Sequence, residues 1–165
     1  MNVFYLSEDP TYAAQQLCDE HVRKMQIESA QMLCTAHWLT GAEAPYKKAH
    51  VNHPSTKWTR ESIHHYRWLV EHGLAICDEF TRRHGTYHKT RDVLTWCKNN
   101  EPNIPDLGFT PPPQCMPDQY KHSNTIEAYK RFYVFDKVKV KNLSWKKLNN
   151  APDWVTYKLK YETAA

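Results

Sequence analysis

The 165-residue chain lacks the long apolar run, the basic leader and the paired cysteines that mark membrane and secreted proteins. No apolar stretch approaches the ~20 residues that a membrane-spanning helix needs. The N-terminal stretch Met1–Leu6 carries no basic residue and is followed by Glu8 and Asp9, which argues against a signal peptide. We therefore expect no membrane partner and a cytoplasmic protein, located in the host-cell cytoplasm if a phage encodes it.

Signals for a metal site are missing as well. The five cysteines are odd in number and no two have Cys-x-x-Cys spacing, so we expect neither a disulfide framework nor a zinc knuckle. The ten histidines include no His-Glu-x-x-His motif and no zinc-finger spacing. The sequence therefore predicts no metal ion and no other cofactor.

The chain does have a high aromatic content and a slight excess of positive charge. Aromatic residues account for 13% of the sequence, with six Trp, and large rings serve either a packed core or a surface that stacks bases. The formal net charge of +4 and the pI of about 8.7 permit a nucleic-acid partner without requiring one. The length suits a single domain, and we expect a monomer.

The pattern of proline, glycine and apolar residues predicts a mostly helical chain. Asp9-Pro10 and Pro54 begin long stretches without internal proline, and Gly85 ends the second of them. Gly73, inside the second stretch, predicts a close contact between helices. Two long helices are predicted over residues 11–39 and 54–83, and one or two shorter helices over residues 89–98 and 118–135.

Two further segments are predicted to be irregular. Six prolines make residues 99–117 a connector, and the segment from Lys137 onwards is rich in Lys and Trp. The predicted fold class is all-α. It consists of one compact helical domain over residues 1–135 and a basic, irregular C-terminal extension over residues 136–165, packed on or near that domain.

Glu28 is the first candidate for a reactive group. It lies seven residues after His21, which is two helical turns, so the two side chains share a helical face with Leu17, Met25 and Met32. A carboxylate on an inward face is costly unless it has a partner or a function. The spacing alone favours a structural ion pair over a catalytic carboxylate.

A second candidate motif, His50-x-Asn52-His53-Pro54, stands just before the second predicted helix. Its side chains could position a substrate phosphate or the Glu28 carboxylate, or they could simply cap the helix. The motif alone favours the capping interpretation.

The N-terminal amine and several basic-aromatic segments complete the candidate set. An α-amine titrates closer to neutral pH than a lysine does, so more of it is nucleophilic at pH 7. Segments that combine cations with rings suit phosphate contact and base stacking, and their number favours nucleic-acid binding. They are Arg23-Lys24, Tyr46–Lys48, Lys57-Trp58, Arg82-Arg83, Tyr129–Tyr133 and Trp145–Lys147.

The order of these elements resembles the phage-type pyrimidine dimer DNA glycosylase family over about residues 2–135. Asp19-x-His21 followed by Glu28 is similar to the first helix of that family, where the glutamate is catalytic. Residues 52–58 and 78–85 resemble its second helix, and residues 128–133 resemble its aromatic-basic third segment. The Asn-His-Pro motif at residues 52–54 is similar to one branch of the family.

The resemblance implies a DNA-repair glycosylase with abasic-site lyase activity that acts on double-stranded DNA. In this family the N-terminal amine attacks C1′ of a damaged, flipped-out nucleotide, and the glutamate assists ring opening and β-elimination without a metal. The implied catalytic groups are Glu28, His21 and the amine of Met1 or, if the methionine is removed, of Asn2. The implied DNA-binding residues are Arg23, Lys24, Asn52, His53, Lys57, Lys130 and Arg131.

Departures from the family leave the substrate open. Asn2 stands where family members expose a small residue, and Val3, Ile27 and Gln31 stand where they carry arginines. The expected substrate is a damaged or modified pyrimidine, with pyrimidine dimers among the candidates. Two alternatives remain: an enzyme that acts on another N-glycosidic bond, in a hypermodified base or a nucleotide, and a non-catalytic DNA-binding module.

Overall fold

The computed structural model describes residues 1–163, and helices are its only regular elements, with no β-strand among those residues. The α-helices are α1 Pro10–Gln15, α2 Asp19–Trp38, α3 Pro54–Glu61, α4 Ile63–His84, α5 Thr90–Asn99, α6 Thr125–Phe132 and α7 Asp153–Tyr161. A 3-10 turn at Asp118–Tyr120 precedes α6, and a π-helical turn at Tyr133–Val138 follows it. The predicted all-α fold class is confirmed. None of these helices has the length and the apolar character needed to cross a bilayer.

The first long predicted helix is wrong in one respect, because it is broken between α1 and α2. Cys18 has extended backbone angles, with φ −66° and ψ 163°, and it precedes α2 as the N-cap residue. The break is stabilised from elsewhere in the chain. The buried guanidinium of Arg83, on α4, donates hydrogen bonds to the carbonyl oxygens of Leu17 at 2.7 Å and Gln15 at 3.1 Å. These carbonyls would otherwise lack a partner at the end of α1.

The second long predicted helix is likewise broken, at Ser62, into α3 and α4. Ser62 is extended, with φ −148° and ψ 144°, and its side-chain oxygen accepts from the N–H of His64. The proline-rich connector binds at this break, since Ile63 donates to the carbonyl of Pro105 at 2.8 Å and Leu107 donates to the Ser62 hydroxyl at 3.1 Å. These bonds come from residues about 45 positions away, so no local pattern indicates the break.

The C-terminal third differs most from the sequence prediction. The predicted helix over residues 118–135 is divided into the 3-10 turn, α6 and the π-helical turn, and the extension expected to be irregular contains α7. On α7 only Val155 and Lys158 are buried, so the apolar pattern that would have indicated a helix is weak. The helix is held instead by long-range contact, because Lys158 pairs with Glu127 of α6.

The start of α2 anchors the segment that leads to α7. The backbone N–H of Asp19 donates to the carbonyl of Ser144 at 2.9 Å, and the carboxylate of Asp19 accepts from the N–H of Lys147 at 2.8 Å. The same carboxylate lies 3.2 Å from Nη1 of Arg83. A buried carboxylate requires such partners, so Asp19 of the Asp-x-His motif joins α2, α4 and the C-terminal segment.

Helix α4 lies at the centre of the core. Ala75 and Ile76 contribute to the apolar cluster shared with residues 4–6 and α6, and Leu69 contributes to the cluster shared with α2 and α5. A Cβ atom on Gly73 would lie 2.8 Å from Cδ2 of Leu94 on α5. The predicted close helix contact at Gly73 is therefore confirmed.

Candidate active site

An extended N-terminal arm, residues 1–6, lies along α2 and brings Met1 to Glu28. The Met1 amine nitrogen is 3.4 Å from Oε1 of Glu28. Further along the arm, the ring of Phe4 stacks on His21, with centroids 4.3 Å apart. Three extended residues span about 10 Å, and seven helical residues span about 10.5 Å. The arm and α2 are therefore antiparallel and matched in length between these two contacts.

Both residues of the Met1–Glu28 pair are partly exposed. The side chain of Glu28 keeps 22% of its surface exposed and the side chain of Met1 keeps 1%, so the exposed surface of Met1 belongs to its backbone, which carries the amine. The methionine side chain packs against the cluster formed by α2, α4 and α5. This buried side chain anchors the amine next to a carboxylate that a substrate can reach. An amine paired with a carboxylate can act as a nucleophile whose proton has an acceptor.

His53 is the third group at this site. It is the N-cap residue of α3, and its Nδ1 accepts from the N–H of Ser55 at 3.1 Å. The neutral ring therefore carries its proton on Nε2. Partial burial lowers the pKa of His53, the N-terminal amine and His50 lower it further, and Glu28 opposes the shift. The N-terminal amine and Glu28 therefore act on this ring with opposite electrostatic effects.

The turn that carries His53 is held rigidly over α2. The hydroxyl of Thr35, two turns after Glu28, accepts from the N–H of Ala49 at 3.1 Å. Arg60 of α3 donates to the carbonyl of Val51 at 2.8 Å. Within the turn, His50 has a φ of 48°, an unfavourable left-handed conformation for a residue other than glycine. Residues held in such conformations concentrate at functional sites.

The side chains of Asn2 and His21, both predicted to be catalytic, bond to the connector, α6 and the π-helical turn and not to Met1 or Glu28. Asn2 directs its side chain to the connector and α6, where it bonds to Cys115 and Tyr129. His21 is 3% exposed, and its Nδ1 shares a hydrogen bond with the hydroxyl of Tyr133. Burial, with smaller contributions from Lys24 and Lys137, lowers the pKa of His21 to about 3. At neutral pH His21 is therefore an uncharged ring that supports the arm through Phe4.

Apart from His53, described above, the predicted DNA-binding residues fall into two groups. Arg23 and Lys24 are exposed on α2 between His21 and Glu28, and Asn52 and Lys57 line a groove of ≈ 370 Å³ beside α3. Lys24 lies one helical turn before Glu28 on α2, and Asn52 precedes His53 in the turn before α3.

The second group, on α6, makes contacts within the C-terminal half. Lys130 places its Nζ 5.2 Å from the ring centre of Trp154, and Arg131 donates to the carbonyl of Gln119 at 3.1 Å.

Sequence reasoning did not place three residues beside the arm, although one of them, Tyr129, belongs to a predicted basic-aromatic segment. Tyr129 and Cys115 bond to Asn2, and Lys137 lies over the rings of Phe132 and Phe4 at 4.8 Å and 6.0 Å. Burial, Lys141 and Lys24 lower the pKa of Lys137, with Asp136 opposing. No local signal indicates these contacts, because the connector, α6 and the π-helical turn bring the residues to the arm from more than 110 positions away.

Among residues 1–163, no cluster of three or more His, Cys, Asp or Glu side chains is arranged to hold a metal ion. The chemistry that the observed groups themselves provide is that of an amine, a carboxylate and a neutral imidazole at one partly open position.

Comparison with known proteins gives one match, in the N-terminal part of the chain. A family model described as pyrimidine dimer DNA glycosylase matches residues 1–95. The matched region is more than half of the chain, and it contains the arm, α1 to α4 and the Met1, Glu28 and His53 groups. The connector, α6 and α7 lie outside it. No curated protein and no solved structure matches the chain.

Proposed function

Since the chain belongs to the pyrimidine dimer DNA glycosylase family, we propose that it removes a damaged or modified pyrimidine from double-stranded DNA and then cleaves the abasic strand. Family membership supports DNA as the substrate. The lyase step is supported by a single observation, the 3.4 Å contact between the Met1 amine and Oε1 of Glu28. A nucleophilic amine converts base excision into a covalent reaction whose intermediate can undergo strand cleavage.

In the proposed reaction, the neutral amine attacks C1′ of a nucleotide that has been extruded from the duplex. A bond forms between the amine nitrogen and C1′ while the bond from C1′ to the base breaks, and the base leaves with the bonding electron pair and acquires a proton. Glu28 takes a proton from the attacking amine and passes it to O4′, so that the C1′–O4′ bond breaks and the sugar ring opens to a Schiff base. Glu28 stabilises the cationic intermediates, takes the proton from C2′ and so drives β-elimination of the 3′ phosphate.

We propose supporting roles for the remaining predicted residues. His53, with a proton on Nε2, donates to the Glu28 carboxylate or to a substrate phosphate. His21 acts through Phe4, by holding the arm in register on α2. Arg23, Lys24, Asn52, Lys57, Lys130 and Arg131 are proposed to contact the DNA.

We assign the nucleophile to Met1 rather than to Asn2 because the amine of Met1 is the group that lies beside Glu28. No step of the proposed reaction requires a metal. Full activity in excess EDTA is therefore expected, and loss of activity that Mg²⁺ restores would contradict this part of the proposal.

The test uses three duplexes that differ at one position: a thymine dimer, an abasic site and undamaged thymines. Each duplex is incubated with the protein in the presence and absence of borohydride, which reduces a Schiff base to a stable amine. We expect strand cleavage and a covalent protein–DNA adduct on the dimer and abasic duplexes and neither product on the undamaged duplex. Peptide mass mapping of the adduct should locate it at Met1.

The outcomes separate the proposed activity from the alternatives. Adduct on the abasic duplex alone would retain the amine chemistry and exclude the dimer as substrate, which would agree with Ile27 and Gln31 beside Glu28. Base release without any adduct would favour a hydrolytic enzyme for another N-glycosidic bond. Salt-dependent DNA binding without release or cleavage would favour a binding module and would contradict the proposed function.

A further inference from the structure

The side chain of Asn2 is held by the part of the chain that lies outside the family match. Its Nδ2 donates to the carbonyl of Cys115 at 2.9 Å, and its Oδ1 accepts from the hydroxyl of Tyr129 at 2.7 Å. The same Oδ1 accepts from the N–H of Val3 at 2.9 Å. Cys115 is in the connector and Tyr129 is on α6, so two elements fix one residue of the arm.

Tyr129 is fully buried, and its hydroxyl makes several bonds. The hydroxyl directs its proton towards Asn2 Oδ1 and the carbonyl of Pro113, at 2.7 Å and 2.5 Å, and it accepts from the N–H of Cys115 at 3.3 Å. Burial raises the pKa of Tyr129 well above its usual value. The hydroxyl therefore keeps its proton, which Asn2 Oδ1 and the Pro113 carbonyl share, at every pH at which the protein would be assayed.

This arrangement restrains the amine from two sides. On one side the Met1 side chain is buried in the cluster of α2, α4 and α5. On the other side the next residue, Asn2, is bonded to the connector and α6. An amine at the end of an otherwise free chain would sample many positions, whereas this one is limited to the neighbourhood of Glu28.

Building on the function proposed above, we propose that Tyr129 and Asn2 are positioning residues that hold the N-terminal amine at Glu28 for attack. We call the Asn2 side chain and its partners Cys115, Tyr129 and Pro113 the Asn2 clamp. The clamp makes no contact with the reacting atoms. It limits the displacement of the nucleophile, and a misplacement of about 1 Å can slow a reaction by roughly 100-fold.

Tyr129→Phe tests the clamp, because it removes one oxygen and leaves the buried ring in place. The measurement is the single-turnover rate of borohydride-trapped adduct on the abasic duplex, at saturating protein, together with the dissociation constant for the undamaged duplex. We expect the trapping rate to fall by about 10- to 100-fold and the dissociation constant to stay within about twofold. Tyr157→Phe, on the exposed face of α7, is the matched control and should leave both values unchanged.

Asn2→Leu gives an independent test within the arm, in case Tyr129→Phe does not fold, because it removes the side-chain bonds of Asn2 and keeps a large residue after Met1, so that the methionine is retained. It should slow trapping to a similar extent. Because both substitutions remove the same bond, the double variant should be no slower than the slower single variant. A purely structural role would instead give losses that multiply, and it would lower DNA affinity and the melting temperature in parallel.

The possible results distinguish the clamp from the proposed function. If the wild-type protein forms adduct and both variants form it at the wild-type rate, the clamp is wrong and the proposed function stands. If the losses multiply, or if DNA affinity falls as much as the rate, the positioning role is also wrong. If the wild-type protein forms no adduct on any duplex, the proposed function itself fails.

Discussion

The arm meets α2 at two contacts that have opposite physical character. At one end, Met1 and Glu28 form a charged pair whose carboxylate is 22% exposed. At the other end, Phe4 and His21 form a stacked pair that is 4% and 3% exposed, closed by Tyr133. Both Glu28 and His21 lie on one stripe of α2, seven residues apart.

This difference shows that a shared helical face does not imply a shared role. Where the arm ends, Glu28 faces the Met1 amine and its side chain keeps access to solvent. Where the arm continues, burial removes the charge from His21 by lowering its pKa to about 3. A reactive group requires access to substrate, and a structural group benefits from exclusion of water. The position of the chain terminus therefore distinguishes the two ends.

Glu28→Gln should give the largest effect, and it tests the partly exposed contact between Met1 and Glu28. Loss of the carboxylate removes the group that accepts protons and stabilises cations, so strand cleavage should fall by about 10²- to 10⁴-fold. The melting temperature should change little, because the side chain is partly exposed. Glu43→Gln, on an exposed loop, is the control. Cleavage at more than a tenth of the wild-type rate would refute the catalytic role of Glu28.

His21→Gln tests the buried contact between Phe4 and His21. Loss of the stack on Phe4 and of the buried bond to Tyr133 should lower the free energy of unfolding by about 1–3 kcal/mol. The trapping rate of the folded variant should fall by less than about tenfold, since His21 acts only through the arm. Urea unfolding and single-turnover trapping measure the two effects. A stable variant whose trapping rate falls as far as that of Glu28→Gln would place His21 among the reacting groups.

The pH dependence of stability provides a third, smaller effect. The folded-state pKa of His21 is about 3, against a reference value of 6.5. The unfolded chain therefore binds a proton at this residue that the folded chain does not, and the stabilisation is complete above pH 6.5 and is lost as the pH falls towards 3. The contribution is about 1.4 kcal/mol per pH unit.

Urea unfolding of the wild-type protein and His21→Gln between pH 7.5 and pH 5 should reveal this difference in slope. His122→Gln, in an exposed turn, serves as the control and should keep the wild-type slope. Equal slopes for all three proteins would mean that His21 titrates in the folded protein as it does in the unfolded chain.

Lys24→Gln should give the smallest effect. Lys24 lies on α2 between the two contacts, so this variant tests whether the surface between them binds DNA. One lost phosphate contact should reduce the slope of log K against log salt by about 0.9 for duplex DNA. Lys98→Gln, on α5, where Lys98 lies 3.5 Å from Glu71, is the matched control. Salt titrations that give the same slope for both variants would exclude Lys24 from the DNA interface.

Much of the helical architecture could be predicted from local signals. Asp9 caps α1, Gly85 ends α4 with a φ of 72°, and the predicted helix at 89–98 agrees with α5 within one residue. These signals act within one or two helical turns, and capping groups and glycine conformations are local properties. The resemblance of residues 2–135 to the glycosylase family was also visible in the sequence, and the family match confirms the family over residues 1–95.

The breaks, the π-helical turn and α7 could not be predicted, because distant partners stabilise them. The connector bonds to Ser62 at the break between α3 and α4, and α7 contacts the rest of the chain through the Lys158–Glu127 pair and the buried Val155. Local propensity cannot report a partner that is tens of residues away.

By itself, the sequence determined the helix boundaries that depend on caps and the presence of Glu28 on an inward face of a helix. Only the tertiary structure decided that Glu28 pairs with the Met1 amine and that His21 is buried against the ring of Phe4. It also decided that Tyr129 holds Asn2 across 127 positions of sequence. The physical reason is that periodicity specifies a direction from the helix axis, whereas pairing and burial depend on what packs in that direction.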